Sequence, residues 1–360
     1  MRIAYVINSV EGGGAALPVP AVARVLRDGG ANVRIFALAR RDGRALRAMA
    51  DAGLEVAVHD GVETDHLTAL RWLDGVVAAW HATHVWTSLT RATLLGQLVG
   101  VRRRLPVVSW QHAAYLKPAN LALLRATKRL SMLWIGDSHS VTALTQHRLH
   151  IPAERLTTWP IFAADAAAAQ ARPWEPGQTI YIGSLGRLHP VKGYDVLIAA
   201  LARLKASGFT PPVPFEVHIA GEGAEREALE AAKRSAGIDA FHLSGFVDRP
   251  RDFLAGLHLY VQPSRSEGLC IAAHEAMQAG LGVVASAVGE LPFTIERGLS
   301  GALVPPDDPV ALAEALGGLL RHPEQLGVLG VRARARVLDR FGAEAFVARG
   351  REILARLSAG

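Results

Sequence analysis

The stretch Pro263–Gly280, PSRSEGLCIAAHEAMQAG, decides how the rest of the chain is interpreted. It follows an apolar run at residues 257–261 that predicts a short buried strand. Proline and serine end that strand, and apolar residues from 269 onward predict a helix that ends at Gly280. Two carboxylates lie within it, Glu267 at the start of the helix and Glu275 about two turns further along.

The start of a helix suits a bound anion, because its free N–H groups and partial positive charge attract phosphate. A neighbouring carboxylate can accept hydrogen bonds from sugar or ribose hydroxyls. The alternative is that Glu267 caps the helix and that Glu275 is a solvated helix residue. These residue types alone leave both interpretations open.

The order P-S-x-x-E-G-L-x-x-x-x-x-E-A-M-x-x-G resembles the signature of glycosyltransferase family 4, the retaining group 1 enzymes. The likeness continues upstream at Gly183–Leu188 and at Lys192-Gly193, and downstream from Val283 to Pro309. It is dense over residues 180–320 and thin in the N-terminal half. The resemblance implies an α/β protein with the GT-B fold, in which two Rossmann-like, doubly wound domains face an interdomain cleft.

Composition sets the outer limits. A chain of 360 residues can form two domains with full cores, and its apolar half and charged fifth are ordinary for a soluble enzyme. No uncharged apolar run reaches the roughly 18–20 residues that cross a membrane. The N-terminus resembles a first strand more than a signal peptide. The single cysteine, Cys270, excludes an internal disulfide and a cysteine zinc cluster, so we expect a cytoplasmic protein and a buried, unreactive thiol.

The positive charge is concentrated in the N-terminal half. Residues 1–170 hold 19 basic against 12 acidic residues, and residues 171–360 hold 20 against 21. Together with a basic, leucine-bearing helix predicted at Lys117–Leu130, this predicts peripheral contact with the anionic inner face of the cytoplasmic membrane. An arginine-rich composition and a helix with solvated charges are the alternatives. No basic run alternates with aromatic residues, so we expect no nucleic-acid partner.

Strands and helices alternate along both halves, which predicts two parallel sheets covered on both faces. We expect an N-terminal domain at 1–165, a C-terminal domain at 175–342 and a linker at Trp159–Gln178. By resemblance to GT-B enzymes, the last helix, 343–360, returns to the first domain. The predicted strands are 2–8, 32–38, 54–58, 84–87, 106–110, 132–136, 179–183, 215–220, 241–244, 257–262, 282–285 and 302–304.

Three places in the N-terminal half follow predicted strand ends, where ligands of parallel sheets bind. The loop with Gly13 and Gly14 lets a ligand approach the backbone, but Leu17 replaces the third glycine of a dinucleotide fingerprint. His112 follows the strand 106–110, and the resemblance places it beside the donor sugar. Ser138 holds the analogous position after the next strand. Each residue also has a purely structural alternative.

The C-terminal half supplies the charges for sugar transfer. Arg187 and Lys192 are the natural cations for a departing diphosphate, and no Asp-x-Asp pair occurs to hold a metal. The resemblance implies that Glu275 holds the ribose and Glu267 the transferred sugar. We therefore predict a catalytic set of His112, Glu267, Arg187 and Lys192, with no metal and no cofactor. Further donor-binding residues are predicted at Gly186, Gly221, Gly223, Phe246, Val247, Gly268, Leu269 and Cys270.

The chain departs from the family pattern at four positions. Cys270 and Glu290 stand where glycine is usual, Gly282 where proline is usual, and Phe293 where glutamate is usual. These departures leave the expected fold intact and bear on the choice of sugar.

The sequence therefore predicts a retaining glycosyltransferase that moves a sugar from a nucleotide sugar, UDP favoured over GDP, to a saccharide or lipid-linked acceptor. We expect a role in cell-surface polysaccharide or glycolipid synthesis. Two alternatives remain open: another GT-B enzyme, such as a sugar-nucleotide epimerase or a phosphorylase, and a non-catalytic nucleotide-sugar-binding protein.

Overall fold

A computed structural model describes residues 1–112 and 115–358 of the chain. The chain divides into two compact units, one formed by Met1–Ala163 with the segment from Glu344 onward, the other by Ala164–Ala343. The division falls inside the predicted linker, but the linker prediction was wrong at its start. Trp159 is completely buried in the first unit, because its ring packs among other tryptophans there.

The first unit contains a parallel sheet of seven strands in the order β3-β2-β1-β4-β5-β6-β7. Strand β7 was not predicted, because Leu156-Thr157-Thr158 contains one apolar residue and two threonines and so does not form an apolar run. The strands are β1 Arg2–Ile7, β2 Asn32–Ala37, β3 Val56–Val58, β4 His84–Ser88, β5 Val107–Gln111, β6 Leu133–Gly136 and β7 Leu156–Thr158. The helices are α1 Val19–Asp28, α2 Ala45–Asp51, α3 His66–Ala79, α4 Thr90–Arg103, α5 Pro118–Thr127 and α6 His139–Leu149, with the C-terminal helix Ala343–Ser358.

Aromatic packing fixes the C-terminal helix in the first unit. Trp159 stacks on Trp110 with ring centres 4.9 Å apart, and Trp86 meets both rings edge-on. Phe346 of the C-terminal helix lies 5.2 Å from Trp159, whose indole N–H donates to the Phe346 carbonyl oxygen at 3.1 Å. The helix therefore completes the core of the unit to which the N-terminus belongs.

The second unit contains a parallel sheet of six strands in the order β10-β9-β8-β11-β12-β13. Each of its strands overlaps a predicted one, because continuous apolar runs mark strands that are buried on both faces. The strands are β8 Ile180–Leu185, β9 Phe215–Ala220, β10 Phe241–Gly245, β11 Leu259–Gln262, β12 Gly282–Ser286 and β13 Gly301–Val304. The helices are α7 Tyr194–Ala206, α8 Arg226–Ala236, α9 Pro250–Ala255, α10 Ile271–Gln278, α11 Leu291–Thr294, α12 Pro309–Arg321 and α13 Gln325–Phe341, and the C-terminal helix above is α14.

The strand order reverses beside β1 in one sheet and beside β8 in the other. Such reversals open a crevice at the carboxyl ends of the strands, where ligands of doubly wound sheets bind. In the first unit the loops after β1 and β5 carry Gly13 and His112, and in the second the loops after β8 and β11 carry Arg187 and Glu267. Among the residues that the structure describes, no helix is long and apolar enough to span a bilayer.

Candidate functional site

Glu267 is the best-anchored carboxylate of the second unit. It lies in the loop between β11 and α10, four residues before the helix begins, because α10 starts later than the apolar spacing predicted. Three groups donate hydrogen bonds to its Oε1 atom: the Ser264 hydroxyl at 2.6 Å, the Lys192 ammonium at 2.8 Å and the Gln262 amide at 3.2 Å. None of these bonds involves Oε2. The carboxylate is thus held firmly at Oε1, the Cys270 thiol also lies against it, and the capping alternative is wrong.

A chain of buried hydrogen bonds connects Glu267 to the end of β8. The Leu185 backbone N–H donates to the Tyr260 hydroxyl at 3.0 Å, and that hydroxyl donates to Gln262 Oε1 at 2.9 Å. The Gln262 amide then donates to Ser264 and to Glu267. Tyr260, Gln262 and Ser264 are completely buried. In this low-dielectric setting such a network holds each member in one orientation.

Lys192 lies at the end of a 3₁₀ turn, Pro190–Lys192, just before α7. Burial alone would lower the pKa of its ammonium group, but the adjacent Glu267 carboxylate outweighs burial and raises that pKa well above its usual value. Lys192 is therefore charged at neutral pH. Arg187 lies in the preceding loop with its side chain exposed, and within residues 1–112 and 115–358 no ion pair occupies it. The structure thus places one anchored and one exposed cation in the segment after β8.

Arg265 braces this segment, and the sequence analysis missed it. Its guanidinium donates to both oxygens of Asp195 on α7, at 2.9 and 2.7 Å, and its Nε pairs with Asp307 at 2.6 Å. It also donates to the Pro190 carbonyl oxygen. The loop that carries Glu267 is therefore tied to the turn that carries Lys192. The sequence offers no signal for it, because its carboxylate partner Asp195 lies 70 positions away along the chain.

Glu275 is the fifth residue of α10 and is mostly removed from water. Burial raises the pKa of its carboxyl group, and Arg251 offsets this only in part. Neither a hydrogen bond nor a close ion pair to Glu275 occurs in the part of the chain that the structure describes. Glu275 is thus less exposed than the solvated-residue alternative implies, and its role stays a prediction. A partly buried carboxylate without an internal partner is suited to accept hydrogen bonds from a ligand.

Cys270 adopts the left-handed conformation, with φ +66°, directly before α10. That conformation favours glycine, the residue that the family resemblance leads us to expect at this position. It also explains why α10 begins later than predicted. Burial raises the pKa of the Cys270 thiol far above its usual value, so the expectation of a buried, unreactive cysteine is confirmed.

His274 holds the backbone turn at Cys270 in place. Because a carbonyl oxygen only accepts hydrogen bonds, His274 Nδ1 carries the hydrogen and donates to the Cys270 carbonyl at 2.9 Å. Its Nε2 lies 3.0 Å from the Thr294 hydroxyl on α11. Burial lowers the pKa of His274 to about 4, so the ring is neutral at pH 7.

The other departures have local explanations. Gly289, with φ +59°, packs so tightly on the Glu267 and Gly268 carbonyls that a Cβ could not fit. Glu290 has ordinary helical dihedral angles, so a side chain is tolerated, and its buried carboxylate pairs with Arg340 at 3.2 Å. Phe293 is half exposed on α11. At Gly282 a Cβ would lie 3.0 Å from the Cβ of Leu329, which keeps the start of β12 small.

The remaining predicted donor contacts of the second unit lie at carboxyl ends of strands. A Cβ at Gly221 or Gly223 would collide with the carbonyl oxygens of Gly186 and Leu188, so both glycines let the loop with Arg187 pack closely. Phe246 is half exposed and Val247 half buried just after β10. Gly268 and Leu269 fall in the turn between Glu267 and α10. Contacts of these residues with a donor stay predictions.

His112 is fixed on both sides in the first unit. Its Nε2 lies 2.7 Å from the buried Ser88 hydroxyl at the end of β4, and its Nδ1 lies 3.3 Å from Asp137 Oδ2 at the end of β6. The ring is also tilted against Trp110, with centres 5.2 Å apart. Three neighbouring strand ends thus position one imidazole. Sequence reasoning found His112 but missed Ser88.

Ser138 and the glycine loop have clear local roles. The Ser138 hydroxyl caps α6 by accepting from the Val141 N–H at 3.1 Å, so a role in donor binding stays a prediction. The Gly12 N–H donates to Asp42 at 3.0 Å. A Cβ at Gly13 would meet only Glu11, at 3.7 Å, so packing inside the protein does not require glycine there. Gly14 lies in the turn that precedes α1.

Comparisons with known proteins agree with this arrangement. Residues 179–322 match the sequence family described as "Glycosyl transferases group 1". The chain is 28% identical to the D-inositol 3-phosphate glycosyltransferase of Thermobispora bispora, over 95% of this chain and 90% of that protein. It is 34% identical to the Streptomyces griseus enzyme of the same name, over 47% of this chain and 38% of that protein.

The fold has solved counterparts. The crystal structure of the Anabaena protein HepE in complex with UDP and glucose superposes with a TM-score of 0.84 at 20% sequence identity. The superposition covers all of both chains. At this identity the likeness concerns the fold, while the family match concerns the segment that contains Arg187, Lys192, Glu267 and Glu275.

Proposed function

We propose that this chain, a glycosyltransferase of the group 1 (GT4) type with the GT-B fold, uses a UDP-sugar without a metal ion and retains the anomeric configuration. The donor is a nucleotide sugar. UDP is favoured as the nucleotide because HepE was solved with UDP and glucose, although the likeness to HepE concerns the fold. The acceptor is proposed to be a saccharide or lipid-linked hydroxyl compound of cell-surface polysaccharide or glycolipid synthesis.

One observation supports the proposal most strongly: Glu267 Oε1 accepts three hydrogen bonds, one of them from Lys192. The carboxylate keeps the Lys192 ammonium charged and in place, and its Oε2 remains to accept a bond from a sugar hydroxyl. A cation for the diphosphate and an acceptor for the sugar are thus joined in one unit. Neither a capping residue nor a solvated surface pair requires this geometry.

The chemistry follows from the charges that develop. As the anomeric C–O bond breaks, the sugar becomes oxocarbenium-like and the diphosphate gains negative charge. Lys192 and Arg187 stabilise that charge, and Glu267 orients the sugar through Oε2. The acceptor hydroxyl attacks the same face of the sugar, and the departing phosphate takes its proton. This scheme needs no side-chain nucleophile. We assign Glu275 to the ribose hydroxyls and His112 to the transferred sugar.

A donor screen tests the proposal. The protein is incubated with UDP-, GDP- and ADP-sugars, and release of nucleoside diphosphate is measured with and without acceptors. We expect release from a UDP-sugar, and Lys192→Ala should reduce it by about 100-fold or more, since a charge-assisted contact to the leaving group is lost. Binding without turnover would indicate a non-catalytic protein. An isomerised nucleotide sugar would indicate an epimerase.

Metal independence has its own test. The cations Arg187 and Lys192 stand where many transferases place a divalent ion, so turnover should persist in EDTA at 25 °C. Full loss of turnover in EDTA, restored by Mg²⁺ or Mn²⁺, would contradict it.

We further propose a cytoplasmic protein that touches the anionic membrane face peripherally. Tyr115, Leu123 and Leu130 are exposed around α5, at 66, 51 and 38%. The basic residues at α5 support membrane contact less than expected, because Arg125 and Lys128 donate hydrogen bonds to carbonyl oxygens at the end of α6. Flotation with vesicles should show binding that requires anionic lipid, weakens with salt and is reduced in Leu123→Ser. Equal binding to neutral vesicles would contradict it.

A further inference from the structure

Two histidines and a glutamate meet on one face of the second sheet, outside the site described above. Glu216 and His218 are two residues apart on β9, so their side chains point to the same face. His242 on β10 is the register partner of His218. One ligand atom from each of the three residues lies within 4.8 Å of the other two.

The contacts within this triangle are close. His218 Nε2 lies 2.9 Å from Glu216 Oε2, and the two imidazole rings stack with centres 4.9 Å apart. The three side chains are half buried, so an ion from solvent can reach them. Tyr181 of β8 lies beside His218, with ring centres 5.9 Å apart, and walls the cluster on the side toward the middle of the sheet.

A hydrogen bond between His218 and Glu216 explains that pair but not the second imidazole. His242 offers a further ring nitrogen toward the same point, which a simple His–Glu pair does not need. The surface pair His322–Glu324, at 3.3 Å, is an example without a third member. A His–Glu pair therefore does not explain why three ligand atoms lie so close together, whereas a bound metal ion would.

We propose that Glu216, His218 and His242 bind a divalent transition-metal ion of the Zn²⁺ class. Two imidazole nitrogens and one carboxylate oxygen form a donor set that suits Zn²⁺, with water at the fourth position, and suits Mg²⁺ or Ca²⁺ poorly. Bonds of about 2.1 Å in a tetrahedral site place ligand atoms about 3.4 Å apart. The 4.8 Å triangle reaches that spacing by side-chain rotation, since the strands are already paired in register.

The position in the sheet indicates what the ion does. Strand β10 is the edge strand, and β9 is its neighbour in the sheet. An ion held by residues of both strands fastens the edge strand to the sheet. Phe246 follows four residues after His242, about 13 Å along the chain. The ion therefore stabilises the fold near the proposed donor site without taking part in transfer.

Calorimetric titration with Zn²⁺ and Co²⁺ tests the proposal. The protein carries no polyhistidine tag and is first stripped of metal. We expect one ion per chain and no competition from excess Mg²⁺. His218→Ala and His242→Ala should each weaken Zn²⁺ binding by more than the roughly 10–100-fold that loss of an outer-shell partner costs. Glu216→Gln keeps the shape of the side chain but removes its charge, and should also weaken Zn²⁺ binding. His322→Ala, which removes a His–Glu pair without a third ligand, is the matched control and should bind like the unmodified protein.

Thermal unfolding and Co²⁺ spectra give independent readouts. Zn²⁺ should raise the unfolding temperature of the unmodified protein but not of His242→Ala, whose far-UV circular dichroism checks that it is folded. Bound Co²⁺ should give visible absorption that the two histidine variants lack. Absence of a stoichiometric Zn²⁺ site, or undiminished binding in the His218→Ala/His242→Ala double variant, would overturn the proposal. Donor turnover plays no part in these measurements, so their outcome is independent of the proposed transferase activity.

Discussion

At the scale of single residues, the second unit contains two kinds of charged group: those that other side chains hold in place, and those without a partner among the described residues. Glu267 is fixed through three hydrogen bonds to Oε1, whereas Glu275 is partly buried with no described partner, and burial raises the pKa of its carboxyl group. Lys192 and Arg187 differ in the same way, one anchored and one exposed. Under the proposed function, the anchored groups set the geometry of the site in advance, and the unpartnered groups are the ones that the donor would engage.

Cys270 gives a prediction about backbone conformation. Replacing it by glycine relieves a left-handed conformation that costs an ordinary residue about 1–2 kcal/mol, but removes a small buried side chain of similar value. We expect Cys270→Gly to unfold within about 1 kcal/mol of the unmodified protein and to keep its turnover.

The contrast variant is Cys270→Val, which places a β-branched residue in the left-handed region and should lose at least about 2 kcal/mol. Urea unfolding measures both variants. Equal stability of the glycine and valine variants would show that the conformation at position 270 is not left-handed.

At the scale of elements, the candidate site lies on loops between strands and helices. The ion pairs that tie these loops to neighbouring helices determine how accurately the site residues are positioned. Arg265 ties the loop of Glu267 to α7 and to Asp307 without occupying a donor-facing position of its own. We expect Arg265→Ala to lower kcat by up to about 100-fold through misplacement of Glu267, with a smaller effect on UDP affinity. Steady-state kinetics beside UDP titration separates the two effects.

Arg249→Ala is the matched control, because among residues 1–112 and 115–358 the one ion pair of Arg249 is with the exposed Asp252 one turn away. It should leave kcat unchanged. If Arg265→Ala lost UDP binding and kept kcat, Arg265 would contact the nucleotide directly instead of positioning the loop.

His274 predicts how stability depends on pH. Its folded-state pKa of about 4 lies below the unfolded value of about 6.5, so the unfolded chain binds the proton first on acidification. The stabilising contribution is therefore complete above pH 6.5 and declines as pH falls toward 4. Between pH 7 and pH 5 the free energy of unfolding should fall by about 2 kcal/mol from this group alone.

Urea unfolding of His274→Gln at the two pH values isolates the contribution. The variant should be less stable at pH 7, because the bonds to Cys270 and Thr294 are weakened, yet should lose about 2 kcal/mol less than the unmodified protein on acidification. Parallel pH dependence of the two proteins would contradict the assignment.

The elements also show what the sequence could predict. Continuous apolar runs identified the six strands of the second unit, and spaced motifs located Lys192 and Glu267. The start of α10 could not be predicted from apolar spacing, because it depends on the left-handed turn at Cys270. The contacts of Ser88 with His112 and of Arg265 with Asp195 join residues 24 and 70 positions apart, so no local pattern reveals them.

At the scale of the whole molecule, the chain builds two units and returns to the first. Composition predicted the region where the units divide. The same alanine and proline content gave no indication that Trp159, at the start of this region, belongs to the core of the first unit. The return of α14 followed from family resemblance, while its anchor, the Trp159–Phe346 contact, could be found only in three dimensions.

Phe346→Ala tests this closure. The side chain is 5% exposed and packs on Trp159, so its loss should destabilise the first unit by about 3–5 kcal/mol. Val331→Ala, on an exposed face of α13, should cost less than about 0.5 kcal/mol. Tryptophan fluorescence during urea unfolding reports mainly on the first unit, which holds six of the seven tryptophans, and an unshifted transition in Phe346→Ala would contradict the account.

The central claim is that Glu275 binds the nucleotide while Glu267 acts on the sugar and holds Lys192. Calorimetry with UDP, beside kinetics with the UDP-sugar, tests it in the Glu275→Ala and Glu267→Ala variants. Glu275→Ala should weaken UDP binding by about 10–100-fold, the cost of one or two strong hydrogen bonds. Glu267→Ala should change UDP affinity much less than Glu275→Ala does, because Glu267 is assigned to the sugar and not to the nucleotide, while turnover falls by at least as much. Loss of UDP binding in Glu267→Ala with full binding in Glu275→Ala would contradict the claim.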